Sequence, residues 1–125
     1  MRILCVDDEE FWRGFIKHQL RDHHVDAVGT LREAVDLLHS QPGYAVALVD
    51  LNLHAANDGE GGELLNLLRL RFPNTKRIAL TAYLAKEAIT KFMTRYDIDE
   101  LIIKRDFQLS DLRQAIEHAM ETKRD

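Results

Sequence analysis

The sequence holds a single cysteine, Cys5, so it can form no internal disulfide and no cysteine-based zinc site. It lacks any apolar run approaching the ~18 residues of a membrane span. Met1 is followed at once by charge and a short strand-like run, which is not the pattern of a secretory signal. Positive charge is not in excess either: 17 Lys and Arg stand against 21 Asp and Glu, with a net charge of −4 and a pI near 5.8. A direct role on duplex nucleic acid or an anionic membrane is therefore not expected. No repeat, linker or break in composition divides the 125 residues, so residues 1–125 are read as a single domain of ordinary size. A reducing, cytoplasmic setting is the natural expectation.

What is present is ordinary globular composition, 46% apolar and 30% charged, which excludes a disordered chain. The charge is uneven: residues 1–60 carry 5 basic and 11 acidic groups, and residues 61–125 carry 12 basic and 10 acidic. Five short apolar runs recur: Ile3–Val6, Val25–Val28, Val46–Val49, Ile78–Leu80 and Leu101–Ile103. Short, mostly branched runs without alternation read as strands of a parallel sheet, buried on both faces. Between them lie segments of helical period. Phe11, Trp12, Phe15, Ile16 and Leu20 share one face; Leu31, Ala34, Val35 and Leu38 share another, opened by a Thr30–Glu33 capping box. Leu64, Leu65, Leu67, Leu68 and Phe72 form a third set, stopped by Pro73. Ala85, Ala88, Ile89, Phe92 and Met93 form a fourth. Leu109, Leu112, Ala115, Ile116, Ala119 and Met120 form a fifth, opened at or just before Ser110. Strict alternation predicts an α/β fold: a flavodoxin-like, doubly wound, five-stranded parallel sheet of order 2-1-3-4-5 with five helices. The stretch His54–Gly62 reads as a glycine-rich loop after the third strand. It has neither a P-loop ending nor EF-hand carboxylate spacing.

The polar residues are informative by position. The first strand ends in Asp7-Asp8, the third in Asp50, the fourth in Thr81 and the fifth in Lys104. In an open parallel sheet these ends share one edge, where ligands bind. Taken singly, each has a bland reading; Asp8 would serve as the cap of a helix starting near Glu10, and Lys104 as a solvated lysine. Together they bring three mutually repelling carboxylates to one place. Lys104 and a hard divalent cation with oxygen ligands, Mg²⁺, are the two remedies. Histidine is scarce there, His54 excepted, which disfavours zinc or copper. A carboxylate nucleophile beside Mg²⁺, a hydroxyl and an ammonium is suited to accepting a phosphoryl group.

The segments Leu4–Glu9, Ala47–Leu53, Ala79–Tyr83 and Ile102–Lys104 resemble those of response-regulator receiver domains of two-component signalling, and the resemblance runs from Arg2 to about Ala119. It implies that Asp50 is the phosphorylated aspartate. It implies that Asp8 holds Mg²⁺ directly, Asp7 through water, with Asp50 and the backbone carbonyl of Asn52 completing the metal set. Thr81 and the amide of Ala82 would donate to the phosphoryl oxygens, and Lys104 would form the salt bridge. The implied phosphodonor is a sensor histidine kinase or a histidine phosphotransfer protein. The output would be a downstream protein met through the face of helix 4, strand 5 and helix 5, or a phosphorylation-dependent homodimer.

Three positions depart from the usual pattern. Arg105 follows the lysine where proline, often after a cis bond, is usual; a cis bond to a non-proline residue costs ~3 kcal/mol, so a trans peptide is expected. Leu101 replaces the usual aromatic switch, with Tyr83 as a nearby substitute. The loop after strand 3 carries His54 in place of proline and runs about three residues longer. Two other readings compete: a degenerate receiver acting as a phosphorylation-independent interaction module, and a Mg²⁺-dependent phosphatase or phosphotransferase. Asn52 opposes the second, because the position two residues after Asp50 offers no general acid. The expectation is a signalling phosphoacceptor rather than an enzyme.

Overall fold

The computed structural model describes residues 1–51, 59–82, 85–106 and 109–121. The chain alternates strictly: β1 (Arg2–Val6), α1 (Glu10–Gln19), β2 (His24–Val28), α2 (Leu31–Ser40), β3 (Val46–Asp50), α3 (Gly59–Arg71), β4 (Lys76–Thr81), α4 (Lys86–Tyr96), β5 (Glu100–Ile103) and α5 (Leu109–Glu121). A single 3₁₀ turn, Lys104–Asp106, follows β5. All pairings are parallel and the order is β2-β1-β3-β4-β5, as the alternation predicts.

The central strand β3 is buried along its whole length, which explains its unbroken apolar run. Alternate residues feed two cores. Leu4, Val6, Ala47 and Val49 face α2 and α3, meeting Ala34, Leu38, Leu64, Leu65 and Leu68. Ile3, Cys5, Val46 and Leu48 face α1 and α5, meeting Ile16, Leu20, Leu112, Ile116 and Ala119. At α2 the expected cap is present: the Thr30 hydroxyl accepts from the Glu33 amide at 3.1 Å and donates to its carboxylate at 2.9 Å.

Several expectations are corrected. Phe11 does not join the buried face of α1 but is 70% exposed, and Met120 is likewise exposed on α5. Tyr96, absent from the predicted face of α4, is its buried anchor. Residues Gly59–Gly62 are not loop but the first turn of α3. Close packing is the reason: a Cβ on Gly61 would stand 2.3 Å from the Asp50 carbonyl oxygen, and one on Gly62 would stand 2.7 Å from the Tyr96 hydroxyl. Glycine here admits the helix to the end of β3. His54 and Tyr83 lie outside the described residues.

Candidate functional site

Four strands deliver their polar ends to one edge. β1 continues into Asp7, whose amide donates to the Val28 carbonyl at 3.0 Å, so Asp7 keeps sheet register and stays fully buried. Its Oδ1 accepts from the Glu9 amide at 2.9 Å, turning the chain into α1. Asp8 is not the helix cap; that position is Glu9, which makes no side-chain cap bond. The Asp8 side chain instead joins Asp7 and Asp50, with carboxylate oxygens of all three within 4.8 Å of one another. Asp50 ends β3 and is 1% exposed. It pairs in register with Leu80, which places buried Thr81 one residue further along the same edge.

Lys104 reaches this group from β5. Its Nζ lies 2.7 Å from Asp7 Oδ2 and 3.6 Å from both Asp50 Oδ2 and Glu9 Oε1. No described peptide bond is cis, so the Lys104–Arg105 peptide is trans, as the missing proline predicts. The 3₁₀ turn that follows still aims the lysine inward. The Arg105 amide, which a proline would lack, donates to the Ala82 carbonyl at 3.3 Å. Leu101, in place of an aromatic residue, packs against the α2–α3 core.

The charges explain one another. Burial alone would lower the ammonium pKa, but the contact with Asp7 and the charges of Asp50 and Glu9 overcome it and raise the value. Three carboxylates outnumber the one inserted cation. Asp7 Oδ2 is buried and, beyond the ammonium contact, accepts no hydrogen bond. A dry oxygen of this kind, in an all-carboxylate cluster, fits a hard divalent cation such as Mg²⁺. Asp7, Asp8 and Asp50 are the residues able to hold it; Asn52 lies outside the described residues.

Three further contacts complete the neighbourhood, and the sequence places Trp12 near Asp7 and Asp8 without revealing its contact with Lys104. Arg13 donates from Nη1 to the Asp7 carbonyl at 2.9 Å, Glu9 shares Lys104, and the Trp12 ring lies 5.1 Å from the Lys104 Nζ. Trp12 follows Asp7 by five residues, and the one available signal was that it opens α1 beside the acidic pair.

The chain matches the response regulator receiver domain family over residues 3–117, and it belongs to that family. Its members are the phosphoacceptor modules of two-component signalling, signalling modules rather than classical enzymes. Among solved structures it is similar to a CheY-like receiver domain protein from Methanospirillum hungatei JF-1, at 29% identity and a TM-score of 0.78, covering 96% of this chain and 93% of that one. It is also similar to the signal receiver domain of an HD domain-containing protein from Pseudomonas fluorescens Pf-5 (23%, TM-score 0.82, 96% and 94% covered). Vibrio cholerae chemotaxis protein CheY4 resembles it at 20% identity (TM-score 0.80, 94% and 97% covered). These last two speak for the fold alone. No curated protein matches the chain. Among the described residues, no helix is long and apolar enough to cross a membrane.

Proposed function

We propose that residues 1–125 act as one receiver in which Asp50 accepts a phosphoryl group from a phosphohistidine of a sensor kinase or phosphotransfer protein. The observation that carries this reading is the convergence of Asp7, Asp8 and Asp50 with the Lys104 ammonium between them. An Asp50 oxygen attacks phosphorus; the O–P bond forms as the N–P bond breaks, and the leaving imidazole retains or takes up its proton. Bound Mg²⁺ would supply charge neutralisation for the transferring oxygens. Lys104 neutralises the acceptor while keeping its contact with Asp7, and Thr81 with the Ala82 amide donates to the phosphoryl oxygens. Asn52 provides no general acid for fast hydrolysis, which favours a signalling phosphoacceptor over a turnover enzyme.

The output surface in this reading is the face of α4, β5 and α5. A groove of about 510 Å³ runs there between β5 and α5, lined by Leu101, Ile103, Gln114 and His118 with the acidic Glu100 and Glu117; Asp7, Asp8 and Asp50 do not line it. A downstream protein, or a second copy after phosphorylation, would use this face in a cytoplasmic setting. Intact mass after incubation with phosphoramidate and Mg²⁺ tests the proposal. One phosphoryl group should appear, require Mg²⁺ and be absent in Asp50→Asn. Lys104→Met should slow its appearance by roughly tenfold or more, the usual scale for losing one preorganised charge partner. No adduct on the unaltered chain would leave the degenerate-receiver alternative in its place.

A further inference from the structure

The Lys104 ammonium has three carboxylates to choose from, at 2.7, 3.6 and 3.6 Å. One of them, Glu9, is 58% exposed in its side chain and would draw the lysine toward solvent. A lysine stem is flexible and its charge strongly hydrated, so the carboxylates alone do not fix the inward position. Among the described residues a further contact is aromatic. The Trp12 ring centroid lies 5.1 Å from Nζ, within the ~6 Å range of cation–π attraction.

That indole is itself braced. Phe11 meets it edge-on at 5.7 Å and 87°, and Phe15 does so at 5.7 Å and 84°. The two phenyl rings stack at 6.1 Å and 10°. Phe11 is 70% exposed, so its ring adds little to the core; its contacts here are with the other two rings. Edge-to-face packing of this kind fixes ring orientation. We propose that Trp12 is a positioning residue for Lys104: its indole, held by Phe11 and Phe15, keeps the ammonium turned toward Asp7 and Asp50 instead of outward with Glu9. The proposal rests on the Asp50 phosphoacceptor reading for its consequence, though not for the contact itself. The contact also answers to the trans Lys104–Arg105 peptide, because the lysine is aimed by a ring on α1 in addition to its own backbone.

The experiment compares Trp12→Leu and Trp12→Phe with the unaltered protein. The readouts are the rate of phosphoramidate labelling by intact mass and the Mg²⁺ concentration giving half the full rate. Trp12→Leu should label about five- to twentyfold more slowly, the scale of a partly desolvated cation–π contact. The half-saturating Mg²⁺ should stay within twofold, because the proposed role of the indole is to aim Lys104 and not to hold the cation. Trp12→Phe restores a ring face and should recover most of the rate. Trp12 is the only tryptophan, so its emission also reports the contact directly. Lys104→Met should shift or brighten that emission in the folded, unphosphorylated protein. A normal rate in Trp12→Leu, an equal loss in Trp12→Phe, or emission indifferent to Lys104→Met would each overturn the proposal. If no variant accepts phosphate, the Asp50 reading fails, and the emission comparison still decides whether Trp12 holds Lys104.

Discussion

Cys5 sits in the middle of β1, fully buried. Burial, then the charge of Asp7, pushes its thiol from an ordinary 9.0 up to about 12. Tyr44 behaves alike: burial and its hydroxyl's bond to Asp26 raise it from 10.0 to about 12. Lys104 is also raised above 10.5. In all three the folded state holds its proton longer than the unfolded state. Their stabilisation is therefore complete below about pH 9 and is lost as pH rises toward 12. The urea midpoint should fall between pH 8 and pH 10.5, and Cys5 should resist thiol reagents at pH 8 until the chain unfolds. At this scale the strand-end residues were legible, because a charge that stops an apolar run declares itself. Arg77 was not. It lies buried inside β4 and bonds the carbonyl and carboxylate of Asp97, a partner 20 residues away that only the fold brings near. Sequence position likewise gives no sign of the partners of His23 and His24, the N-terminal amine and Asp26.

At the scale of the element, helices were legible where burial follows a 3.6-residue period and illegible where backbone contact replaces it. In α2 the Thr30 cap and the buried Ala34 and Leu38 give both a start and a face. In α3 the first turn packs through its missing side chains, so Gly59–Gly62 looks like loop by composition. Two substitutions separate these cases. Gly61→Ala forces a methyl against backbone atoms of Asp50 and Leu51, at 2.3 and 2.8 Å, neither of which can yield without moving α3. It should cost about 1–3 kcal/mol by urea unfolding. Gly14→Ala, on the exposed side of α1 with nothing within 4 Å, should stabilise by about 0.5–1 kcal/mol. The aromatic run at the start of α1 was legible as a helix face but not as a solvent-side brace, since periodicity does not say which edge of a stripe meets the sheet.

At the scale of the whole molecule, strand order followed from alternation alone, because right-handed crossovers leave few ways to wind five strands. The same order divides the site between unequal parts of the sheet. The acidic residues end β1 and β3, which have neighbours on both sides, while the lysine ends β5, an edge strand. Edge strands open locally more readily than central ones. Were β5 and α5 to loosen together, the ammonium would leave with them and the three clustered carboxylates would lose the cation that contacts Asp7 and Asp50. Their repulsion thus acts as a latch on a distant fluctuation. Amide hydrogen exchange would read the latch: protons of Leu101 to Ile103 should exchange faster in Asp50→Asn than in the unaltered chain, while those of β1 stay slow. A change at the phosphoacceptor would then be felt as looseness in the outermost strand, so the edge of the sheet serves as a dial for the charge at its centre.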